Sequence, residues 1–441
     1  MKKSAPATIL GLLFISLLAS PHGQTQATAG GQAPGAAKPG MSFKENEEIP
    51  GELRQKTFLF VWEKIRDEYY DSTFGGIDWN RTKDRYAPRI AETKTSGEFH
   101  AMLGKMLAEL GRSHLAIFAP HQMSRELKAA PEVRMTLEGV VLRIVEKRVA
   151  VYSVKPESPA GRAGLKAGDF LLKAGDAPMP SEEDIQKAPA KAIVLARRAL
   201  SGGASTTAVL SVLDASGREK ILDVPRTVPF QDRANLGRSI FESRRLQPRI
   251  GYIWFDGWAF DLKPKLEAAF KDLLDTDGLV IDVRQNRGGV NPGVDYLAAI
   301  LNTEAGRLAI ETARNGERRE WAHAGSGAGA YRGRLAILID EASGSASEVF
   351  AAAMQENGRA LVLGRTSYGG VLNATQESLP TGGLLQFPHS DLTTDKGTRI
   401  EGRGVIPDIP VEISRVDLIR GKDTVIERAV AAIAGGTPKR N

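Results

Sequence analysis

Five apolar residues, Leu335-Ala336-Ile337-Leu338-Ile339, run without a polar break. A run that short has the length of a strand buried on both faces. Residues 340–344 are small or polar and read as a turn. Glu348-Val349-Phe350-Ala351-Ala352-Ala353-Met354 then reads as a helix, with Ala and Met as good formers and an acid in the first turn. Gly344-Ser345-Ala346-Ser347-Glu348 therefore puts a serine where a strand turns sharply into a helix. Such a turn exposes the hydroxyl and aims the N–H groups of the helix start at whatever binds beside it. Ser345 and Ser347 also fit a plainer role, as caps of that helix.

The pattern around this turn sets the fold class. Residues 249–255 and 278–284 read as two further strands, residues 262–274 as an amphipathic helix and 294–301 as another helix. Strands alternating with helices imply an α/β core with both sheet faces covered. Ligands in such cores sit at the carboxyl ends of the strands. Ser345 and the pair Gly288-Gly289 both follow strands at that edge, and glycines let a backbone N–H approach a substrate closely. A tight turn alone would explain the glycines equally well.

At 441 residues the chain exceeds what one core usually spans, so two or three domains are expected. The net charge of +6 comes from scattered residues, without a Lys/Arg block or an aromatic-basic stripe, and predicts no nucleic-acid partner. With no cysteine, the sequence excludes disulfides, thiol catalysis and Cys-based metal sites. No metal or other cofactor is expected.

Residues 1–27 read as a secretory leader: Lys2-Lys3, then an apolar run at 9–19 too short to span a membrane, then small residues. Residues 28–48 form a Gly/Ala/Pro-rich linker. No other stretch is apolar enough to span a bilayer, so an exported chain with no stable membrane span is expected, periplasmic or secreted. Residues 49–128 read as a helical subdomain with two main helical patterns, the second running 97–110. Gly111 stops it, and Ser113-His114 opens a β-like run.

Residues 133–229 differ in texture, with short strand-like pieces at 139–145, 150–154, 169–173 and 208–213. Between them lies Ser158-Pro159-Ala160-Gly161-Arg162-Ala163-Gly164-Leu165-Lys166-Ala167-Gly168-Asp169. This segment resembles a PDZ domain of the kind found in bacterial proteases. The resemblance implies a carboxylate-binding loop at Leu137, Glu138, Gly139 and Val140. A module of that kind takes up an extended chain end by β-addition. A β-domain that only orients its neighbours is the alternative. Residues 235–441 complete the chain as the α/β core.

Several motifs in order carry a wider resemblance: Ile77-Asp78-Trp79, Ser113-His114, the PDZ-like segment, Asp282-Val283-Arg284-Gln285-Asn286-Arg287-Gly288-Gly289, Ser345-Ala346-Ser347-Glu348, and Glu401-Gly402-Arg403-Gly404-Val405-Ile406-Pro407-Asp408. Together they resemble the carboxy-terminal-processing, or tail-specific, and tricorn-type serine peptidases. The resemblance implies a Clp protease/crotonase-like core, with an amino-terminal helical subdomain and an inserted β-rich PDZ-like domain. It also implies peptide-bond hydrolysis.

The processing branch of that family uses a Ser–Lys dyad, with the lysine in a T-(F/Y)-G-K-G stretch. Ser367-Tyr368-Gly369-Gly370-Val371 is the matching stretch, and Gly370 stands where the lysine would be. No lysine occurs between Lys271 and Lys396, and glycine has no group to accept a proton. The tricorn-like branch instead uses a Ser-His pair, a serine in the strand–helix turn and a glutamate before GV.PD. By resemblance these are Ser113, His114, Ser345 and Glu401. The chemistry is coherent: a serine hydroxyl needs a positioned base, the base needs an orienting partner, and the oxyanion needs N–H donors. Ala346 and a glycine of Gly288-Gly289 would donate. The expected function is an exported serine endopeptidase acting through an acyl-enzyme on unfolded or tail-presented proteins. The competing expectation is an inactive relative that only binds protein tails. Loss of the lysine fits either, whereas a pure binder needs none of the four site residues.

Overall fold

A computed structural model describes residues 43–120, 135–229 and 239–435. The expected leader and most of the linker lie outside them, as do His22 and His121. No helix among the described residues is long and apolar enough to cross a membrane. The chain folds as two compact units. One gathers the described parts of residues 1–129 with 310–321 and 370–393, and the other takes the rest.

The first unit begins with three helices, Gly51–Glu68, Trp79–Glu92 and Ser96–Ala108. Asp78 starts the second by accepting the Arg81 N–H, and Thr95 with Glu98 forms a capping box on the third. Trp62 and Trp79 each donate the indole N–H to the other's carbonyl, both at 3.0 Å, so neither buried indole goes unpaired. The apolar stripes close on Phe58, Val61, Ile65, Phe99, Leu103 and Met106, and the core is completed from far along the chain by Leu385 and Phe387. Those two sit on the strand Leu384–Thr393, which pairs antiparallel with Ala116–Phe118, the short strand just after His114. The helical reading of 49–128 thus meets three α-helices in its described part, and the strands that join Ala116–Phe118 in one sheet come from 370–393, Gly306–Ala313 and Arg318–His323.

In the second unit six strands order as Phe241–Gln247, Ile250–Phe255, Gly278–Asp282, Arg334–Ile339, Ala360–Gly364 and Ile409–Pro410. The first pair is antiparallel and the rest are parallel. Because strand side chains alternate, Val280, Ala336 and Leu338 meet Val425, Ala429 and Ile433 of the helix Thr424–Ala434 on one face. Leu279, Ile281 and Ile337 point to the other face and are equally buried. That double burial explains the unbroken apolar runs in the sequence. Helices Leu262–Leu273, Asn291–Leu301 and Ala346–Glu356 complete the α/β layers.

Residues 135–229 form a five-strand antiparallel sheet, joined by the short strand Ala177–Pro178, with helices at Glu182–Lys187 and Pro189–Ala199. Its core gathers Leu142, Val151, Leu165, Ile193, Leu210 and Val212. The Ser158-Pro159-Ala160 stretch opens a single helical turn, with Ser158 Oγ accepting the Gly161 N–H at 3.2 Å. A side chain at Gly161 would meet the Pro156 carbonyl oxygen at 2.4 Å, so the close turn needs glycine. The mixed α/β architecture is the one expected from the sequence.

A buried ionic cluster joins this sheet to the α/β core inside the same unit. Arg143, 3 % exposed, donates to Asp340 Oδ2 at 2.8 Å. Gln285 donates its side-chain amide to the Leu142 carbonyl. Arg284 bridges Asp282 at 2.5 Å and Asp423 at 2.8 Å, and Tyr252 Oη donates to Asp282 at 2.9 Å. Burial disfavours the Asp423 charge, but the Arg284 guanidinium outweighs it and holds that carboxyl well below the usual range.

Candidate active site

The strand Arg334–Ile339 ends at Asp340, and the next eight residues are held almost entirely by named hydrogen bonds. Asp340 Oδ1 accepts the Gln285 N–H at 2.8 Å and the Ala342 N–H at 3.1 Å. Asp340 N–H donates to Ser343 Oγ, whose hydroxyl donates to the Val283 carbonyl at 2.8 Å. Gly344 N–H donates to the Asn286 carbonyl at 2.9 Å. The strand–turn–helix read from sequence is therefore also tied sideways to the glycine loop that follows the strand Gly278–Asp282.

Ser345 follows at φ 53° and ψ −119°, a conformation that L-residues rarely adopt. It precedes Ala346, the first residue of the helix, whose N–H belongs to the set a helix start leaves without an intrahelical acceptor. Ser345 is partly exposed, whereas Ser347 is fully buried. Ser347 Oγ donates to the Asn286 carbonyl and accepts the Trp258 indole N–H, both at 2.9 Å. The two serines thus differ: Ser347 holds the loop, and Ser345 is the one left partly exposed.

The glycine pair approaches this turn closely. A Cβ on Gly288 would lie 2.6 Å from Ser345 Cβ and 3.1 Å from the Ala346 nitrogen. Gly288 N–H, however, donates to Asn286 Oδ1 at 3.0 Å. Among the expected oxyanion donors this leaves Ala346 and Gly289. The Gly289 backbone lies against Trp258, whose carbonyl oxygen would sit 2.2 Å from any added Cβ.

Glu348 was legible only as an acid in the first helical turn, and its role is larger. It is fully buried. Its Oε2 accepts the Ser345 N–H at 3.0 Å, and Oε1 accepts the Ser367 hydroxyl at 2.5 Å and the Gly369 N–H at 2.6 Å. Val405 N–H in turn donates to Ser367 Oγ at 2.6 Å, and Gly402 N–H to the Gly369 carbonyl at 2.8 Å. One carboxylate therefore knits the serine turn to the 367–369 loop and, through it, to the turn bearing Glu401. The Ser-x-x-Glu spacing of a capping box is the pattern that could have found it. Glu401 itself is 7 % exposed.

Ser113 and His114 lie in the other unit. Ser113 Oγ is 2.7 Å from His114 Nδ1, and His114 sits at φ 59°. Gln386 donates its side-chain amide to the His114 carbonyl. Burial pushes the His114 imidazole down to about 4. The remaining described histidines vary. His100 is a packing residue, bonded to the Ser96 carbonyl at 2.7 Å and Thr381 Oγ1 at 3.1 Å.

Of the expected chain-end loop, Leu137 is turned into the β-domain core and Val140 opens the first strand, opposite Val154. Glu138 accepts a long bond from Thr227 Oγ1 at 3.4 Å. The Gly139 carbonyl accepts the Lys155 N–H at 3.0 Å, at φ 68°.

Residues 249–411 match Peptidase family S41, and residues 50–108 match the Tricorn protease C1 domain. The chain is 24 % identical over 388 residues to the chloroplastic C-terminal processing peptidase of Tetradesmus obliquus, covering 84 % of this chain and 81 % of that one. It is 26 % identical over 363 residues to the carboxyl-terminal-processing protease of a Picosynechococcus species, covering 80 % and 82 %. Among solved structures, the photosystem II D1 C-terminal processing protease superposes with a TM-score of 0.58 at 22 % identity, over 87 % of this chain and 98 % of that one. The fold is the Clp-protease-like one that the motif order implied. The chain thus carries a Peptidase family S41 domain over its α/β core and a Tricorn protease C1 domain near its amino end, and along most of its length it is similar to proteins named carboxyl-terminal-processing proteases.

Proposed function

We propose that the protein is an exported serine endopeptidase that cleaves unfolded or tail-presented polypeptides through an acyl-enzyme, using Ser345, His114, Ser113 and Glu401. The observation that carries this reading is Ser345 itself. It is partly exposed, at a strained backbone angle, and next to the helix-start N–H of Ala346. In the proposed step Ser345 Oγ attacks the scissile carbonyl carbon and gives its proton to His114 Nε2. Ser113 Oγ, 2.7 Å from Nδ1, fixes the ring so that the other nitrogen takes that proton. Glu401 stabilises the charged end of the Ser113–His114 pair. Ala346 and Gly289 N–H groups receive the oxyanion. His114 then protonates the leaving amine, and water hydrolyses the Ser345 ester. Residues 133–229 serve as a PDZ-like dock for the substrate's carboxyl terminus, through backbone at 137–140.

Glycine at 370 supports a competing reading, an inactive tail binder. A fluorophosphonate probe separates the two, because it labels only an activated serine. Labelling of the wild type, lost in Ser345→Ala together with all peptide hydrolysis, is the expected result. An unlabelled wild type means a binder, and hydrolysis at the wild-type rate by Ser345→Ala means the nucleophile lies elsewhere.

A further inference from the structure

The helix Ala346–Glu356 begins beside Ser345 and ends at a cavity that the proposed chemistry does not use. At about 1.5 Å of rise per residue, its eleven residues put that end roughly 16 Å from the serine turn. The cavity measures about 420 Å³ and lies within the second unit. Its walls come from the loop 302–307, His323, the helix end at Ala353 and 356–359, and Asp395 with Lys396. Ser326 N–H donates to the Asn302 carbonyl and Gly327 N–H to the Thr303 carbonyl, both at 2.9 Å, which fixes the loop. The basic side chains of the wall have acceptors inside the protein. Arg359 gives Nη1 and Nη2 to the carbonyls of Gly333 and Tyr331, at 3.0 and 2.7 Å. Arg307 Nε pairs with Asp395 at 2.6 Å, and Lys396 Nζ donates to the Glu356 carbonyl at 2.6 Å.

Two acceptors of the wall have no such match. His323 is 5 % exposed, and among the described residues neither ring nitrogen has a hydrogen-bond partner. A Cβ on Gly306 would lie 2.9 Å from His323 Nε2, and its three nearest neighbours would all be atoms of that ring. Glycine at 306 therefore keeps open the space beside Nε2, and both residues line the cavity. Burial pushes the imidazole down, so the ring is neutral at pH 7 and one nitrogen offers a lone pair. Glu356 Oε2 is covered and likewise has no partner. The end of a helix favours positive charge, and this helix has no basic residue in its last turn. Among the described residues no three His, Asp or Glu side chains gather as ligands for a metal ion. An organic cation with several N–H donors is the complement of such a wall.

We propose that this cavity is a binding site for a small alkylammonium ion, held by the Glu356 carboxylate and His323 Nε2, with its alkyl stem along Ala353. Lys396, whose ammonium lies on the Glu356 carbonyl, performs the same chemistry from within the chain. The site stands apart from the reading of Ser345 and is tested by binding alone.

The test is calorimetric titration of the full-length protein with n-butylammonium, and with butyrate as the anionic control. Saturable binding of n-butylammonium and none of butyrate is expected. Glu356→Gln keeps the shape and removes the charge, and His323→Phe keeps a ring and removes its nitrogens. Each should weaken binding by about 10-fold or more, the loss of one charge-assisted hydrogen bond. Gly306→Ala, which sets a methyl against Nε2, should do the same. Glu356 is only partly buried, so Glu356→Gln reads the site even where a change at His323 costs folding. Putrescine and Nα-acetyl-lysine amide then separate two sources of the ammonium. Tighter binding of the first marks a free polyamine and of the second a lysine side chain of a peptide, and either supports the site. Absence of saturable binding of n-butylammonium overturns the proposal, as does equal binding of butyrate. Wild-type affinity in Glu356→Gln or in Gly306→Ala overturns it too, because the ion would then sit elsewhere.

Discussion

At φ 53° and ψ −119°, Ser345 holds a backbone conformation that glycine enters freely and an L-residue enters at a cost. Such strain is worth on the order of 1–3 kcal/mol, and it persists because Glu348 holds the Ser345 N–H while Gly344 is tied to Asn286. Ser345→Gly should therefore melt above Ser345→Ala, by about 1 kcal/mol after glycine's larger unfolded-state entropy is subtracted, although both are inactive. Equal stability of the two in urea titrations would show the turn to be unstrained. His114 carries the second prediction at this scale. Burial holds its folded pKa near about 4, below the ordinary ~6.5 of a free histidine. If it is the base, kcat/KM should gain its acid limb well below pH 6.5, and His114→Ala should lose about 10⁴-fold. The stability consequence has the same direction. Protonation favours the unfolded chain, so the contribution is intact above about pH 6.5 and is lost as pH falls toward 4. An acid limb at or above pH 6.5 would contradict the assignment of His114 as a buried base.

Among the elements, the strand–turn–helix around Ser345 works as a clamp on the glycine loop, and Ser347 is its pin. Ser347→Ala removes the acceptor of the buried Trp258 indole and one of two donors to the Asn286 carbonyl. It should cost ~1–3 kcal/mol of stability, as an orphaned buried donor does, and lower kcat while leaving residual activity. Ser347→Ala with wild-type stability and kcat would show that the clamp does not depend on Ser347. These elements were visible in the sequence because their signals are local. The apolar run 335–339 and the small turn after it define the strand and its exit, and the helix Ala346–Glu356 begins two residues before the first residue read as helical. What stayed hidden depends on pairings across the chain. Glu348 has a local capping signature, but nothing in the sequence says that Ser367 and Gly369 will arrive at its other oxygen. Gly288 reads as an oxyanion donor until Asn286, two residues earlier, is seen to take its N–H. Leu385 and Phe387 read as part of the peptidase half, yet they fill the core of the amino-terminal helices. No periodicity encodes which distant strand completes a sheet.

Over the whole molecule, the ionic cluster is the feature with the greatest reach. Arg143 belongs to the β-rich domain and Asp340 to the base of the serine turn, 197 residues apart in sequence. A buried pair contributes little net stability over an apolar substitute, but breaking it strands a charge. Arg143→Met should cost ~3–5 kcal/mol in urea unfolding. It should also lower kcat, because Asp340 holds the Gln285 and Ala342 N–H groups that shape the two loops proposed to carry the chemistry. A loss below ~1 kcal/mol would mean that Asp340 is satisfied without Arg143.

The discontinuity of the first unit sets an order of events in synthesis. The helices Gly51–Glu68, Trp79–Glu92 and Ser96–Ala108 are made early, but the strand that pairs with Ala116–Phe118 and carries Leu385 and Phe387 ends at Thr393. At about 5–20 residues per second, the ribosome leaves these helices without their sheet for tens of seconds. Through that interval their apolar stripes have no permanent cover, and Ser113-His114 has no strand partner to fix it. The nascent protein therefore cannot assemble its proposed base before it has made its proposed nucleophile, and a chain truncated before residue 384 keeps neither a finished amino-terminal core nor an ordered histidine.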